Sequence, residues 1–208
     1  MLIEEIKKEI KKLKKEKNAV ILVHNYQIPE VQDIADFLGD SLDLAKKASN
    51  IDVENIIFCG VDFMAESAKI LNPNKNVILP DNSATCPMAN MVDIKGLEKL
   101  KKDHPKAEVV CYINTTAEIK TYADICCTSS NGKKVVESTS SKKVIFIPDR
   151  NLGSYIQKKV QNKEMILWPG YCSTHNNIRK KDILDLKNKH PNAEVIVHPE
   201  CRPEVIDI

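Results

Sequence analysis

The sequence predicts an α/β fold, a pseudo-threefold repeat of small three-layer αβα domains with parallel sheets, the third repeat truncated. Three observations predict it. Aligned features recur along the 208 residues at a spacing of 86 to 88. The apolar runs are short and β-branched, as strands buried on both faces should be. Amphipathic stretches of helical spacing alternate with them, the pattern of βαβ units. The expected domains are 1–92, 93–179 and 180–208.

The first helix is read from Leu2, Ile3, Ile6, Ile10 and Leu13, whose spacing leaves the lysines from Lys7 to Lys17 on a solvated face. Three segments then read alike: "LKKEKNAVILVHNYQIPEVQDIADFLGDS" from Leu13, "LKKDHPKAEVVCYINTTAEIKTYADICCTSS" from Leu100, and "LKNKHPNAEVIVHPECRPEVIDI" from Leu186. Each holds a basic helix, a strand, a polar triplet and an acid that opens an amphipathic stretch. The triplets are His24-Asn25-Tyr26, Tyr112-Ile113-Asn114 and His198-Pro199-Glu200, and the acids are Glu30, Glu118 and Glu204. The second half of the unit recurs too. "NIIFCG" matches "KVIFIP", helices are expected over Phe63–Leu71 and Leu152–Val160, and strands over Asn76–Pro80 and Glu164–Pro169. A cysteine follows each, Cys86 and Cys172. Each complete unit is therefore expected to hold three strands. The third unit starts a strand at Ala193–Val197 and stops at Ile208. By the same offsets a hydroxyl near position 215 and a cysteine near position 258 are expected, so the chain reads as C-terminally incomplete, with a loosely held tail from Lys180.

A net charge of +2 and an aromatic share of 5% argue against a nucleic-acid groove, a membrane surface or a base-stacking platform. No apolar stretch nears the ~18 residues of a membrane span, and no signal-peptide core precedes the first helix. A cytoplasmic protein is expected, whose seven cysteines are core residues, reactive thiols or metal ligands rather than disulfides. With six glycines and neither GxGxxG nor GxxxxGK[ST], a nucleotide-cradling loop is not expected.

In parallel sheets, function gathers at the C-terminal strand ends. The triplets, the serines Ser41 and Ser129, and both Cys86 and Cys172 fall there. Cys59 and Cys111 lie inside strands and read as core. Cys126 and Cys127 are adjacent, so one should face inward and the other away. Cys201 is a cap, a packing residue or a ligand. Cys86 and Cys172 occupy one repeat position in polar loops and read as metal ligands. No CxxC pair suggests a zinc ribbon, whereas three thiolates from three repeats suit a cubane cluster with one open iron, able to act as a Lewis acid. His24, Tyr26, Tyr112, Asn114, His198 and Glu200 bring acid–base and hydrogen-bonding groups to equivalent strand ends. Ser41 and Ser129 read as helix caps, anion ligands or both. His175, three residues after Cys172, contacts a bound anion or is merely exposed.

The stretches "HNYQIPEVQDIADFLGDS", "GVDFMAESAKIL", "ATCPMAN", "CYINTTAEIKTYAD", "TSSN", "PDRNL", "GYCSTH" and "HPEC" resemble the quinolinate synthase (quinolinate synthetase A) family over nearly the whole chain. The resemblance implies three similar α/β domains around one [4Fe–4S] cluster. It implies condensation of iminoaspartate with dihydroxyacetone phosphate to quinolinate, phosphate and water, in de novo NAD biosynthesis. A functional link to L-aspartate oxidase or aspartate dehydrogenase follows, with no nucleic-acid or membrane partner. Cys86 and Cys172 match cluster cysteines. His24, Ser41, Tyr112, Asn114, Ser129, His198 and Glu200 match substrate-binding positions, and Tyr26, Glu200, His24 and Tyr112 the catalytic ones. The family's third cluster cysteine and a Ser/Thr substrate ligand would fall beyond Ile208. The alternatives are an inactive fragment of such an enzyme and a zinc- or small-ligand-binding α/β module.

Overall fold

The computed structural model describes residues 3–208, with residues 41 and 42 described for their backbone alone. The chain divides into two compact units, one ending at Cys86 and one running Pro87–Ile208. The first unit runs α1 (Ile3–Glu16), β1 (Ala19–His24), α2 (Pro29–Gln32), β2 (Phe37–Gly39), α3 (Ser41–Ser49), β3 (Asn55–Cys59), α4 (Asp62–Leu71) and β4 (Asn76–Ile78). The second runs α5 (Ile94–Asp103), β5 (Glu108–Tyr112), α6 (Ala117–Lys120), β6 (Ile125–Cys127), α7 (Gly132–Ser138), β7 (Lys143–Ile147), α8 (Arg150–Lys159) and β8 (Glu164–Leu167). It continues through α9 (Ser173–Asn176), α10 (Lys180–Lys189) and α11 (Pro203–Ile206).

Each unit holds one four-stranded parallel sheet, of order β2-β1-β3-β4 in the first and β6-β5-β7-β8 in the second. Between the first two of the three expected repeats, the recurrence read from the sequence is one of topology. Register repeats with it: Ile21 pairs with Ile57 as Val109 pairs with Ile145. One edge strand per sheet, β2 and β6, was not expected. Each has three residues, too few to show a period. Both are entered the same way. Asp36 N–H donates to the Ile21 carbonyl while Asp36 Oδ2 accepts from Ile21 N–H at 2.8 Å. Asp124 does the same with Val109, accepting at 2.7 Å. The carboxylate thus replaces a ladder partner where the edge strand begins.

Strand alternation sends successive side chains to opposite faces. In the second unit Val109, Cys111, Ile145 and Ile147 pack with Leu97 of α5, Ile119 of α6 and Trp168. Phe146 points the other way, towards Gly153 of α8, where an added Cβ would lie 3.0 Å from its ring. Phe58 and Phe146, 88 residues apart, are both 0% exposed. Helix entries are capped by carboxylates or hydroxyls: Asp40, Asp93, Thr116 and Asp149 each accept a backbone N–H three residues on. Cys111 is buried within β5, and of the adjacent pair Cys127 is buried and Cys126 exposed, as alternation requires.

The last segment corrects the expected strand. Ala193–Val197 is in no sheet, and Ile196 is 95% exposed, because no described strand lies beside it to complete a ladder. The tail is also not uniformly loose. Val205 of α11 is 1% exposed, Asn151 Nδ2 donates to the Glu200 carbonyl at 3.0 Å, and Arg202 donates to the Ile178 carbonyl at 3.2 Å. These contacts dock residues 200–205 against the second unit.

Candidate functional site

In the first unit, β1 ends at His24 and the chain turns at once. Asn25 N–H donates to the Gly39 carbonyl, so the turn is fixed by β2. Tyr26 N–H then donates to His24 Nδ1 at 3.4 Å, and the two rings lie 4.1 Å apart between centroids. An accepting Nδ1 sets the tautomer and leaves Nε2–H as a donor. Burial lowers the pKa of His24 against the raising influence of Asp40, which keeps the ring neutral. The Tyr26 hydroxyl donates to Met64 Sδ at 3.7 Å. Its pKa is pushed up to about 12, first by burial and then by the charges of Cys86 and Asp62. Tyr26 therefore keeps its proton at neutral pH. The side chain of Ser41, at the start of α3, lies outside the described residues.

Cys86 is half-buried in the loop after β4 and Cys172 half-buried in the loop after β8. Each loop is anchored alike: Asp62 N–H donates to the Ala84 carbonyl and Arg150 N–H to the Gly170 carbonyl. Each cysteine follows the accepting carbonyl by two positions. Thr85 Oγ1 donates to Asp62 Oδ2 at 2.7 Å, and Cys172 N–H donates to Asp149 Oδ2 at 2.9 Å. The two thiols thus hold equivalent positions, each within its own unit.

In the second unit a connected polar network surrounds Glu200, which is 3% exposed. His175 Nδ1 lies 2.8 Å from Glu200 Oε2 and 3.2 Å from Cys172 Sγ. Tyr112, at the end of β5 and 5% exposed, lies near enough to the same carboxylate and to Ser129 for each to influence its pKa. Burial works to raise the pKa of Glu200. The hydrogen bonds from His175 and Tyr112 and the charge of His198 outweigh it, so the carboxyl sits below its ordinary value. Tyr112 is raised well above its ordinary value, by burial and then by Glu200. His175 is raised to about 10 by Cys172 and then Glu200. Burial first, and the charge of Glu200, bring Asp149 up to about 6.

His198 stacks on His175 at 4.7 Å, and its Nδ1 accepts from Glu200 N–H at 3.2 Å. That repeats the bond between His24 and Tyr26 N–H. Burial lowers the pKa of His198 as it does that of His24. Asn114 lies half-buried in the bend after β5. Cys201 is 2% exposed, and its thiol is raised by burial and then by the charges of Glu200 and Cys172. Cys172, His175 and Glu200 each offer one ligand atom, and these atoms lie within 4.8 Å of one another, a group that could bind a metal.

Within the first unit the fold brings His24, Tyr26 and Cys86 together. Within the second it brings Tyr112, Ser129, Cys172 and Glu200 together, with His198 beside them. Sequence reasoning left His175 open and passed over Asp149. The signal for His175 was its spacing, one helical turn after Cys172. Asp149 has no acidic counterpart, since Val61 caps α4 at the matching position.

The family model described as Quinolinate synthetase A protein matches residues 8–208. A quinolinate synthase of Caldicellulosiruptor bescii is 54% identical over 208 residues, covering 100% of this chain and 69% of the relative. One of Clostridium perfringens is 54% identical over 204 residues, covering 98% of this chain and 68% of the relative. One of Aquifex aeolicus is 52% identical over 206 residues, covering 99% of this chain and 64% of the relative. No helix among the described residues is long and apolar enough to cross a membrane. With one matching polypeptide family along nearly its whole length, the chain belongs to the quinolinate synthetase A family.

Proposed function

We propose that this chain acts as a quinolinate synthase, condensing iminoaspartate with dihydroxyacetone phosphate to quinolinate, phosphate and water. The observation that carries the reading is the 54% identity to a quinolinate synthase across all 208 residues. The donor chemistry fits an iron–sulfur cluster: two half-buried thiols at equivalent loop positions, neither in a disulfide. Cys86 and Cys172 would be its ligands, and a [4Fe–4S] cluster when bound supplies a Lewis acid.

Further roles follow from the protonation states. His24 and His198 are neutral rings with Nε2–H left to donate, suited to the carboxylates or carbonyls of the substrates. Ser41, Asn114 and Ser129 add neutral donors at the same strand ends. Tyr26 keeps its proton and serves as the acid, while Glu200 is held ionised and serves as the base. Tyr112, beside Glu200, hands protons to and from that carboxylate. The buried network around Glu200 excludes water from those transfers.

We also propose the threefold arrangement, with domains at 1–92, 93–179 and 180–208. The one-turn helices α2, α6 and α11 begin at residues 29, 117 and 203, close to the expected period, and His198 repeats the local bond of His24. The third unit would supply the remaining thiolate. A cytoplasmic location and a functional link to an aspartate-oxidising enzyme belong to the same reading.

The test is anaerobic quinolinate formation from the two substrates by this chain, alone and joined to a third repeat, after loading with iron and sulfide. Quinolinate from either form is expected. None from both, with iron and sulfide bound, would contradict the proposal.

A further inference from the structure

The two units share a frame but fill one face of it differently. In the second unit, the sheet face under α5 is a closed core. Val109, Ile119, Ile145 and Ile147 are at most 3% exposed there and Trp168 is 9% exposed, with Tyr122 packed against them. Strand register carries each position onto the first unit. Ile21 pairs with Ile57 and Ile57 with Ile78, as Val109 pairs with Ile145 and Ile145 with Ile166. Two residues beyond Ile78 and Ile166 stand Pro80 and Trp168.

The counterparts are thus Ile21, Val31, Ile57, Cys59, Pro80 and, for Tyr122, Ile34. These six line a cavity of about 420 Å³ beneath α1. Four of them are smaller than their counterparts: valine for isoleucine, isoleucine for tyrosine, cysteine for isoleucine, and proline for tryptophan. Pro80 is itself exposed, so nothing in the first unit takes the place of the indole.

Burial along the strands marks the same vacancy. On β7, Val144, Ile145, Phe146 and Ile147 are all 0% exposed. On β3, Ile56 and Phe58 are 0% exposed, yet Ile57 and Cys59, which face the cavity, are only half-buried. The deficit is therefore confined to one face of one sheet. Lys14 and Lys17 reach the rim with their stems, and Lys14 is held there by Asp36 at 2.5 Å. An apolar cavity forfeits dispersion contacts along its walls and gains them from an apolar guest. This one lies in the size range of small-molecule sites, ~300–1,000 Å³.

We infer that the first unit holds a binding site for a small, neutral, planar aromatic molecule of the indole class, in the space under α1 that Trp168 fills in the second unit. The same frame closes over an indole there, in one core with Leu97, Ile145 and Ile147. The guest in the first unit would lie between Ile10, Ile57 and Cys59. This inference stands apart from the proposed reaction, whose residues do not line the cavity.

The experiment titrates the chain with indole, followed by saturation-transfer NMR and thermal melting, and repeats both with Pro80→Trp. The parent should bind indole saturably and melt higher with it. Pro80→Trp should melt higher without indole and lose saturable binding, because its own ring occupies the space. No saturable binding by the parent would overturn the inference, as would unchanged binding by Pro80→Trp. Should Pro80→Trp fail to fold, Ile34→Tyr, which restores the second unit's residue at another wall, carries the same two outcomes.

Discussion

Replacing Glu200 by glutamine removes one charge from the network in the second unit and little else. The carboxylate is 3% exposed, lies 2.8 Å from His175 Nδ1 and is held below its ordinary pKa by His175 and Tyr112. Hydrogen bonds to a charged group contribute ~1.5–3 kcal/mol each, and breaking a buried ionic pair from one side costs ~3–5 kcal/mol. Glutamine keeps one acceptor oxygen but turns an NH2 towards a donor. The His175 side chain is 29% exposed, so solvent softens its part of the loss. A net loss of about 2 kcal/mol is expected, or roughly 4–8 °C in melting temperature for a chain of this size. Urea unfolding followed by Trp168 fluorescence reads it, since the chain's one tryptophan lies in this unit. Tyr112→Phe, alone and with Glu200→Gln, completes a double-mutant cycle, expected to show coupling of about 1 kcal/mol. A Glu200→Gln chain within ~0.5 kcal/mol of the parent, or strictly additive losses, would refute the network as described.

Tyr26→Phe should lower quinolinate turnover by ~10²-fold or more while substrate binding stays near that of the parent; an unchanged turnover number would remove Tyr26 from the chemistry. His24 should show an unprotonated Nδ1 and a protonated Nε2 by ¹⁵N NMR at pH 7. Since burial disfavours its charged form, its titration midpoint should fall below 6.5, and a ring still charged at pH 7 would contradict the geometry. Asp36→Ala and Asp124→Ala each delete the bond to a strand N–H and should each cost ~1–2 kcal/mol in urea unfolding. If neither changes stability, the carboxylates do not hold the edge strands.

Periodicity made the frame legible. Phe58 and Phe146, and Cys86 and Cys172, stand at matching positions because each unit buries the same strand faces and turns at the same ends. The edge strands β2 and β6 escaped because three residues cannot show an alternation, and what fixes them is a side-chain carboxylate from outside the strand. Ala193–Val197 reads as a strand from its composition, but a strand exists only beside a partner. The site was legible where it repeats. His175 and Asp149 occur in one unit alone, so the repeat was silent about them, and their roles come from contacts with Cys172 that only the folded loop creates. The cavity under α1 was invisible for a related reason: the frame is the same in both units, and the difference lies in the size of four side chains.

The central claim is that Cys86 and Cys172 are equivalent cluster ligands in a quinolinate synthase. The direct measurement is the visible absorption and iron and sulfide content of the anaerobically reconstituted chain, joined to a third repeat, in single-cysteine variants. About four irons and four sulfides per chain are expected in the parent. Cys86→Ser and Cys172→Ser should each lose the absorption, and Cys59→Ser and Cys111→Ser should keep it. Absorption that survives Cys86→Ser or Cys172→Ser but disappears in Cys59→Ser would contradict the claim, as would one zinc bound in place of iron and sulfide.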